Sequence, residues 1–122
     1  MLRLAARHAD QWNTWLAMSD SAAGAFPADN ALVDAACLEV GRDPATLERT
    51  ASIMIDVDGR RAIPASMGPH RARPLGGTPE EIADEIRAFA AVGASHLQLY
   101  LLPNSVESIR AFEPVMRALD RA

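Results

Sequence analysis

The sequence predicts an α/β fold of about three parallel strands, and two observations carry this. Short stretches alternate apolar and polar residues at period two, as a strand with two different faces does. Between them lie stretches with apolar residues three and four apart, opened and closed by helix-capping residues. Helix–strand units repeating at this spacing call for parallel strands joined by right-handed crossovers. No glycine fingerprint of a dinucleotide-binding turn and no P-loop follows any of the strands.

MLRLAARHA at the front predicts a short helix, with His8 facing solvent, and Gln11–Leu16 a first strand containing Trp12 and Trp15. After Phe26-Pro27-Ala28-Asp29-Asn30 a helix is expected with Val33, Ala36, Cys37 and Val40 on one stripe, closed by Gly41. Asp43-Pro44 begins one more helical turn, to about Arg49. Ala51–Val57 then alternates as a second strand. Thr78, Pro79 and Glu81 spell a helix start: a hydroxyl cap, proline in the first turn and a glutamate three residues on. Ile82, Ile86, Phe89 and Ala90 form its stripe and Gly93 its end. Ser95–Leu101 is the third strand, with Leu97, Leu99 and Leu101 toward helices and His96, Gln98 and Tyr100 toward the other side. A last helix carries Ile109, Phe112, Met116 and Leu119, with a kink or break expected at Pro114. Gly59–Pro74 has no apolar period and is expected to be the most mobile internal segment.

The 122 residues suit one domain, and 49% apolar content is enough for a core. No apolar run reaches the ~18 residues of a membrane-spanning helix, and the N-terminus has no continuous apolar export core. A lone Cys37 forms no internal disulfide, so a cytoplasmic location is expected. A net charge of −4 argues against general nucleic-acid binding.

Three stretches in order, RLAARHADQWN, ALVDAACLEVGRDPATLERTASIMID and GGTPEEIADEIRAFAAVGASHLQLYLLPN, resemble the C-terminal part of the luciferase-like oxidoreductases. The resemblance covers nearly the whole chain. It implies a partial TIM (β/α)8 barrel, residues 1–122 forming a single incomplete barrel domain. It further implies monooxygenase or hydride-transfer chemistry on a small-molecule substrate, carried by reduced flavin (FMN) or the deazaflavin coenzyme F-420. The family's glycine-rich phosphate loop and its earlier strands have no counterpart in these residues.

Barrel active sites lie at the C-terminal ends of the strands. The resemblance makes Trp12 and Asn13 pocket-floor candidates, although Trp12 and Trp15 read equally as core or interface aromatics. Tyr100 is the lumen residue nearest its strand's end, but His96, Gln98 and Tyr100 can also pair among themselves with no chemical role. Gly77 and Thr78 stand where a helix N-terminus can cradle an anion, or where Thr78 simply caps that helix. Arg60, Arg61, His70, Arg71 and Arg73 crowd the preceding connection, which in relatives can act as a lid. Arg71 and Arg73 are therefore candidate phosphate contacts, against an ordinary solvated loop. No acid–base pair, metal-ligand cluster or nucleophile–histidine arrangement can be assembled, so no catalytic residue is identified.

Two functions remain open: a portion of a coenzyme-dependent oxidoreductase, or a non-catalytic truncated α/β protein. Three strands cannot close a barrel, so the chain is expected to associate with copies of itself or with a partner supplying the missing strands. The exposed lumen set would be Trp12, Met54 and Tyr100, or the alternate set containing Trp15.

Overall fold

The structure, a computed structural model, describes residues 1–57, 59 and 72–121. Three parallel strands lie in the order β1-β2-β3: β1 (Gln11–Trp15), β2 (Glu48–Asp56) and β3 (His96–Leu102). Helix α1 (Leu2–His8) precedes β1, α2 (Phe26–Glu39) follows it, and α3 (Pro79–Ala91) joins β2 to β3. Helices α4 (Val106–Ala111) and α5 (Glu113–Asp120) complete the chain. The fold is a three-stranded segment of a (β/α) barrel, each strand followed by helix.

The main core lies between sheet and helices. Ala51, Ile53 and Ile55 of β2 are fully buried against Ile82, Ala83 and Phe89 of α3 and Phe112, Val115 and Ala118 around α5. Phe26 meets Phe89 edge-to-face, with ring centroids 5.9 Å apart. A second core joins Ala6, Val33, Ala36, Cys37 and Leu47.

Local signals set α3 as expected. Thr78 Oγ1 accepts from the Glu81 N–H at 3.2 Å while Glu81 Oε2 accepts from the Thr78 N–H at 2.8 Å, a complete capping box. The break near Pro114 also occurs: α4 ends before Phe112, and Pro114 occupies the first turn of α5, where a missing N–H costs nothing.

Two expectations on element bounds need correction, and one open alternative is decided. The helical turn after Asp43 is only the three-residue 3₁₀ turn Pro44–Thr46, and strand begins already at Glu48 rather than Ala51. The reason is pairing: Glu48 N–H donates to Asp10 O at 3.0 Å, and Gln11 to Trp15 align with Glu48 to Ser52, which draws Glu48 to Thr50 into the ladder. Helix α2 begins at Phe26, before the Asn30 start expected, because Pro27 fits the first turn and Phe26 anchors in the core. Of the two possible lumen sets, the structure selects the one with Trp15. Opposite residues of paired strands share a face, so Trp12, opposite Arg49, lies on the helix side, and Trp15, opposite Ser52, on the other. Finally, most of the segment expected to be mobile lies outside the described residues, but its end does not behave as a free loop. Arg73 donates to Ser19 O at 2.7 Å and accepts from Ser21 N–H at 3.1 Å, while Leu75 bonds Met54 O and Asp56 N–H at 2.8 and 2.7 Å. The Leu75 bonds satisfy the edge of β2 beyond the point where β1 ends.

Candidate functional site

The face of the sheet away from the helices carries Gln11, Asn13 and Trp15 from β1, Glu48, Thr50, Ser52, Met54 and Asp56 from β2, and His96, Gln98, Tyr100 and Leu102 from β3. Period two puts these residues on one side, and the parallel register lines them into rows. Across the middle of this face runs a hydrogen-bonded chain. Thr50 Oγ1 donates to Asn13 Oδ1 (3.0 Å), Asn13 Nδ2 to Ser52 Oγ (2.9 Å), and Ser52 Oγ to Gln98 Oε1 (2.8 Å). The short hydroxyl side chains of the central strand are buried beneath the exposed carboxamides of its neighbours. The chain thus ties all three strands together with side chains as well as backbone.

At the N-terminal end of the same face, the Glu48 carboxylate accepts from Ser95 Oγ at 2.6 Å and from Gln11 Nε2. The Ser95 bond first, then the Gln11 bond, hold the Glu48 carboxyl below its ordinary range; the charge of His96 acts the same way and desolvation opposes it. At the C-terminal end the face becomes apolar. Met54 and Leu102 are buried with Ala17, and Met18 and Tyr100 pack against them. The Met54 N–H donates to the Oγ of fully buried Ser21 at 2.9 Å, so the loop after β1 closes over this end.

The candidates from sequence divide between these places. Asn13 and Tyr100 share the open face, Asn13 in the polar chain and Tyr100 in the apolar patch toward the strand ends. Trp12 packs on the opposite side against the second core, because its pairing with Arg49 turns it to the helix side. Gly77 and Thr78 do stand near the C-terminal end of β2, two and three residues past Leu75, which bridges to Ile55. There they serve the helix cap: the Thr78 N–H is taken by the protein's own Glu81 carboxylate. Gly77 has φ +125°, a backbone conformation that favours glycine, and a Cβ on it would lie 2.5 Å from Glu81 Oε2, so a larger residue would push the capping carboxylate aside. Arg73 lies at the same end, its side chain exposed with Nη1 3.9 Å from Asp20 Oδ2. Arg71 is outside the described residues.

Sequence reading did not single out the Thr50–Asn13–Ser52–Gln98 chain; Asp56, one of the strand-end residues where a barrel site is expected, is 4% exposed on the open face at the end of β2. The alternation of polar residues through Thr50, Ser52 and Asp56 was the available signal; which strands they meet depends on register. Among the described residues no group of His, Cys, Asp or Glu could hold a metal ion. No described helix is long and apolar enough to cross a membrane.

A deazaflavin or flavin coenzyme would need a wall for its ring system and cations or free N–H groups for its phosphate. The open face offers such a wall, polar at Asn13 and Gln98 and aromatic at Tyr100 and Trp15. The α3 N-terminus does not fit a phosphate, since Glu81 fills it and Glu80 adds a second negative charge in the first turn.

No protein-family model matches this sequence, and no curated protein matches it. Among solved structures, the chain is similar to one described as an F420-dependent secondary alcohol dehydrogenase in complex with an F420-acetone adduct. That similarity has a TM-score of 0.66 at 19% sequence identity and covers 97% of this chain but 45% of the other. The chain has the fold of part of a barrel enzyme. It spans less than half the length of the protein it matches.

Proposed function

We propose that this chain is the C-terminal portion of a luciferase-like oxidoreductase, contributing one wall of a site for a deazaflavin coenzyme of the F420 type. The observation that supports the reading is the superposition of nearly the whole chain on part of an F420-dependent alcohol dehydrogenase. The order of the sequence stretches that resemble this family points the same way. Reduced FMN is the related alternative, and hydride transfer to or from a small carbonyl or alcohol is favoured over monooxygenation because the similar structure is a dehydrogenase.

The bound coenzyme would supply the redox chemistry. This chain's residues would orient it: Tyr100 and Asn13 on the open face, with Arg73, and Arg71 from the adjoining segment, toward a phosphate. Trp12 would act indirectly, by holding β1 against α1 and α2. Gly77 and Thr78 would fix the entry of α3 at the same end. The test is fluorescence titration of the purified chain with F420 and FMN, oxidised and reduced. Saturable binding of F420 that Tyr100→Ala and Asn13→Ala weaken supports the reading, and absence of binding both alone and in any reconstituted barrel refutes it.

A second reading, a non-catalytic protein that associates through its open sheet, draws on the exposed apolar residues beside both sheet edges: Trp15, Leu99, Val106 and Ile109. Self-association with no affinity for either coenzyme would favour it.

A further inference from the structure

On the helix side of the sheet, α2, the turn ahead of β2 and the turn ahead of β3 border a cavity of about 440 Å³. Asn30 and Asp34, four apart on one face of α2, both line it, with Pro44, Leu47, Glu48 and Arg49. Arg49 is 9% exposed, and its guanidinium is only partly matched. Nε donates to Leu47 O at 3.0 Å, and Nη2 donates to Asp34 Oδ1 at 2.7 Å and to Pro44 O at 3.4 Å. These bonds hold the turn and α2 together and use the N–H groups of two of the three guanidinium nitrogens. The third, Nη1, is buried and has no hydrogen-bond partner among the described residues. Asn30 Oδ1 is also buried and without a partner among them. Residues lining one cavity thus carry a donor and an acceptor that are each costly to leave unmet.

We infer that this cavity binds a small neutral molecule bearing an amide, its carbonyl oxygen on Arg49 Nη1 and its N–H on Asn30 Oδ1. The volume falls within the roughly 300–1,000 Å³ of small-molecule sites, and one water, with a share of about 30 Å³, leaves most of it empty. Charge decides the class of ligand. Asp34 already meets the Arg49 cation and Glu48 adds a second carboxylate, so an anion would face net negative charge. A cation would face the guanidinium itself. Geometry then favours an amide over an alcohol. One hydroxyl has to serve both atoms from a single oxygen, whereas an amide holds acceptor and donor on separate atoms in one rigid plane that suits the planar guanidinium. Pro44 and Leu47 supply apolar lining for the rest of the molecule. Stability alone does not account for asparagine at position 30, since leucine would leave no acceptor unmet and has the better helix propensity. The site lies across the sheet from Asn13 and Tyr100, so it does not draw on the coenzyme reading.

The probe is 2-pyrrolidinone, a lactam whose carbonyl and N–H stand side by side, titrated into the full 122-residue chain. NMR follows the Arg49 guanidinium, the Asn30 carboxamide and the backbone amides of Ala45 and Leu47, all residues of the lining. The expected result is a saturable shift at these signals. N-methyl-2-pyrrolidinone keeps the carbonyl but lacks the N–H, so it leaves the Asn30 oxygen unmet and should bind roughly 10-fold more weakly. Acetate should give no saturable shift. Asn30→Leu should abolish the preference between the two lactams while the urea midpoint stays equal or rises, because the oxygen it removes has no partner among the described residues. A purely structural asparagine would do the opposite, moving the midpoint and leaving the preference intact, and that outcome overturns the inference. So do shifts that grow linearly with either lactam, equal affinity for the two, or acetate binding as tightly as 2-pyrrolidinone. A long-lived water, detected by cross-relaxation to the Arg49 Hη protons and undisplaced by excess lactam, overturns it as well.

Discussion

Replacing Ser21 by alanine removes a single oxygen, yet it should be among the costlier small changes in this protein. Ser21 is fully buried, and its Oγ accepts the N–H of Met54, itself 1% exposed, at 2.9 Å. Strand β1 pairs with β2 only as far as Ser52, so the Met54 N–H has no strand partner on that side, and the Ser21 hydroxyl takes that role. Without it, a backbone donor stays buried and unpaired, which costs about 1–3 kcal/mol. A central value of ~2 kcal/mol is a large share of the ~5–15 kcal/mol total stability of a domain, and lowers the melting midpoint by roughly 6–10 °C at this chain length. The loss would fall at the C-terminal end of the sheet, where Met54 packs with Tyr100, so local loosening should reach the candidate site. Urea denaturation at fixed protein concentration measures the cost, and hydrogen exchange at Met54 locates it. Ser21→Thr keeps the acceptor and serves as the control for the oxygen itself. An alanine variant within ~0.5 kcal/mol of the parent, with Met54 exchange unchanged, would show that another group takes over the N–H and that this reasoning is wrong.

Phe89→Ala should cost about 3–5 kcal/mol, since the ring is fully buried and meets Phe26 edge-to-face; a loss under ~1.5 kcal/mol in urea titration would mean the core collapses onto the vacancy. Gly77→Ala should destabilise by roughly 1 kcal/mol, chiefly through its positive φ, and most of that loss should persist on top of Thr78→Ala because backbone strain does not depend on the capping box; a double variant no less stable than Thr78→Ala alone would contradict this. The Glu48 carboxyl should titrate below the ~4.3 of an unperturbed glutamate. A depressed folded-state pKa gives stability that is present above the unfolded-state pKa and lost as pH falls through the folded value. Glu48→Gln should therefore flatten the acid limb of the stability curve, and an NMR midpoint at or above the ordinary value would refute the assignment.

What the sequence alone determined was whatever depends on neighbours a few positions apart. The capping box of α3 lies within Thr78 to Glu81, the break at Pro114 follows from one missing N–H, and alternation named each of the strands. The three stretches that resemble a barrel family led to the right architecture. Tertiary structure decided what depends on pairing between distant segments. In QWNTW the two tryptophans fall on opposite faces in either register, so alternation alone offers both; the pairing of Gln11 with Glu48 sends Trp12 to the core and Trp15 to the open face. The same pairing turned Glu48 and Arg49 from an expected helical turn into strand. Ala72 to Leu75, without any periodicity of its own, is held by backbone bonds to Ser19, Ser21, Met54 and Asp56. The candidate site follows the same division: its residue types are local and visible, but a hydrogen-bonded chain from Thr50 through Asn13 and Ser52 to Gln98 exists only once three strands are in register, because each link joins residues that the chain itself keeps far apart.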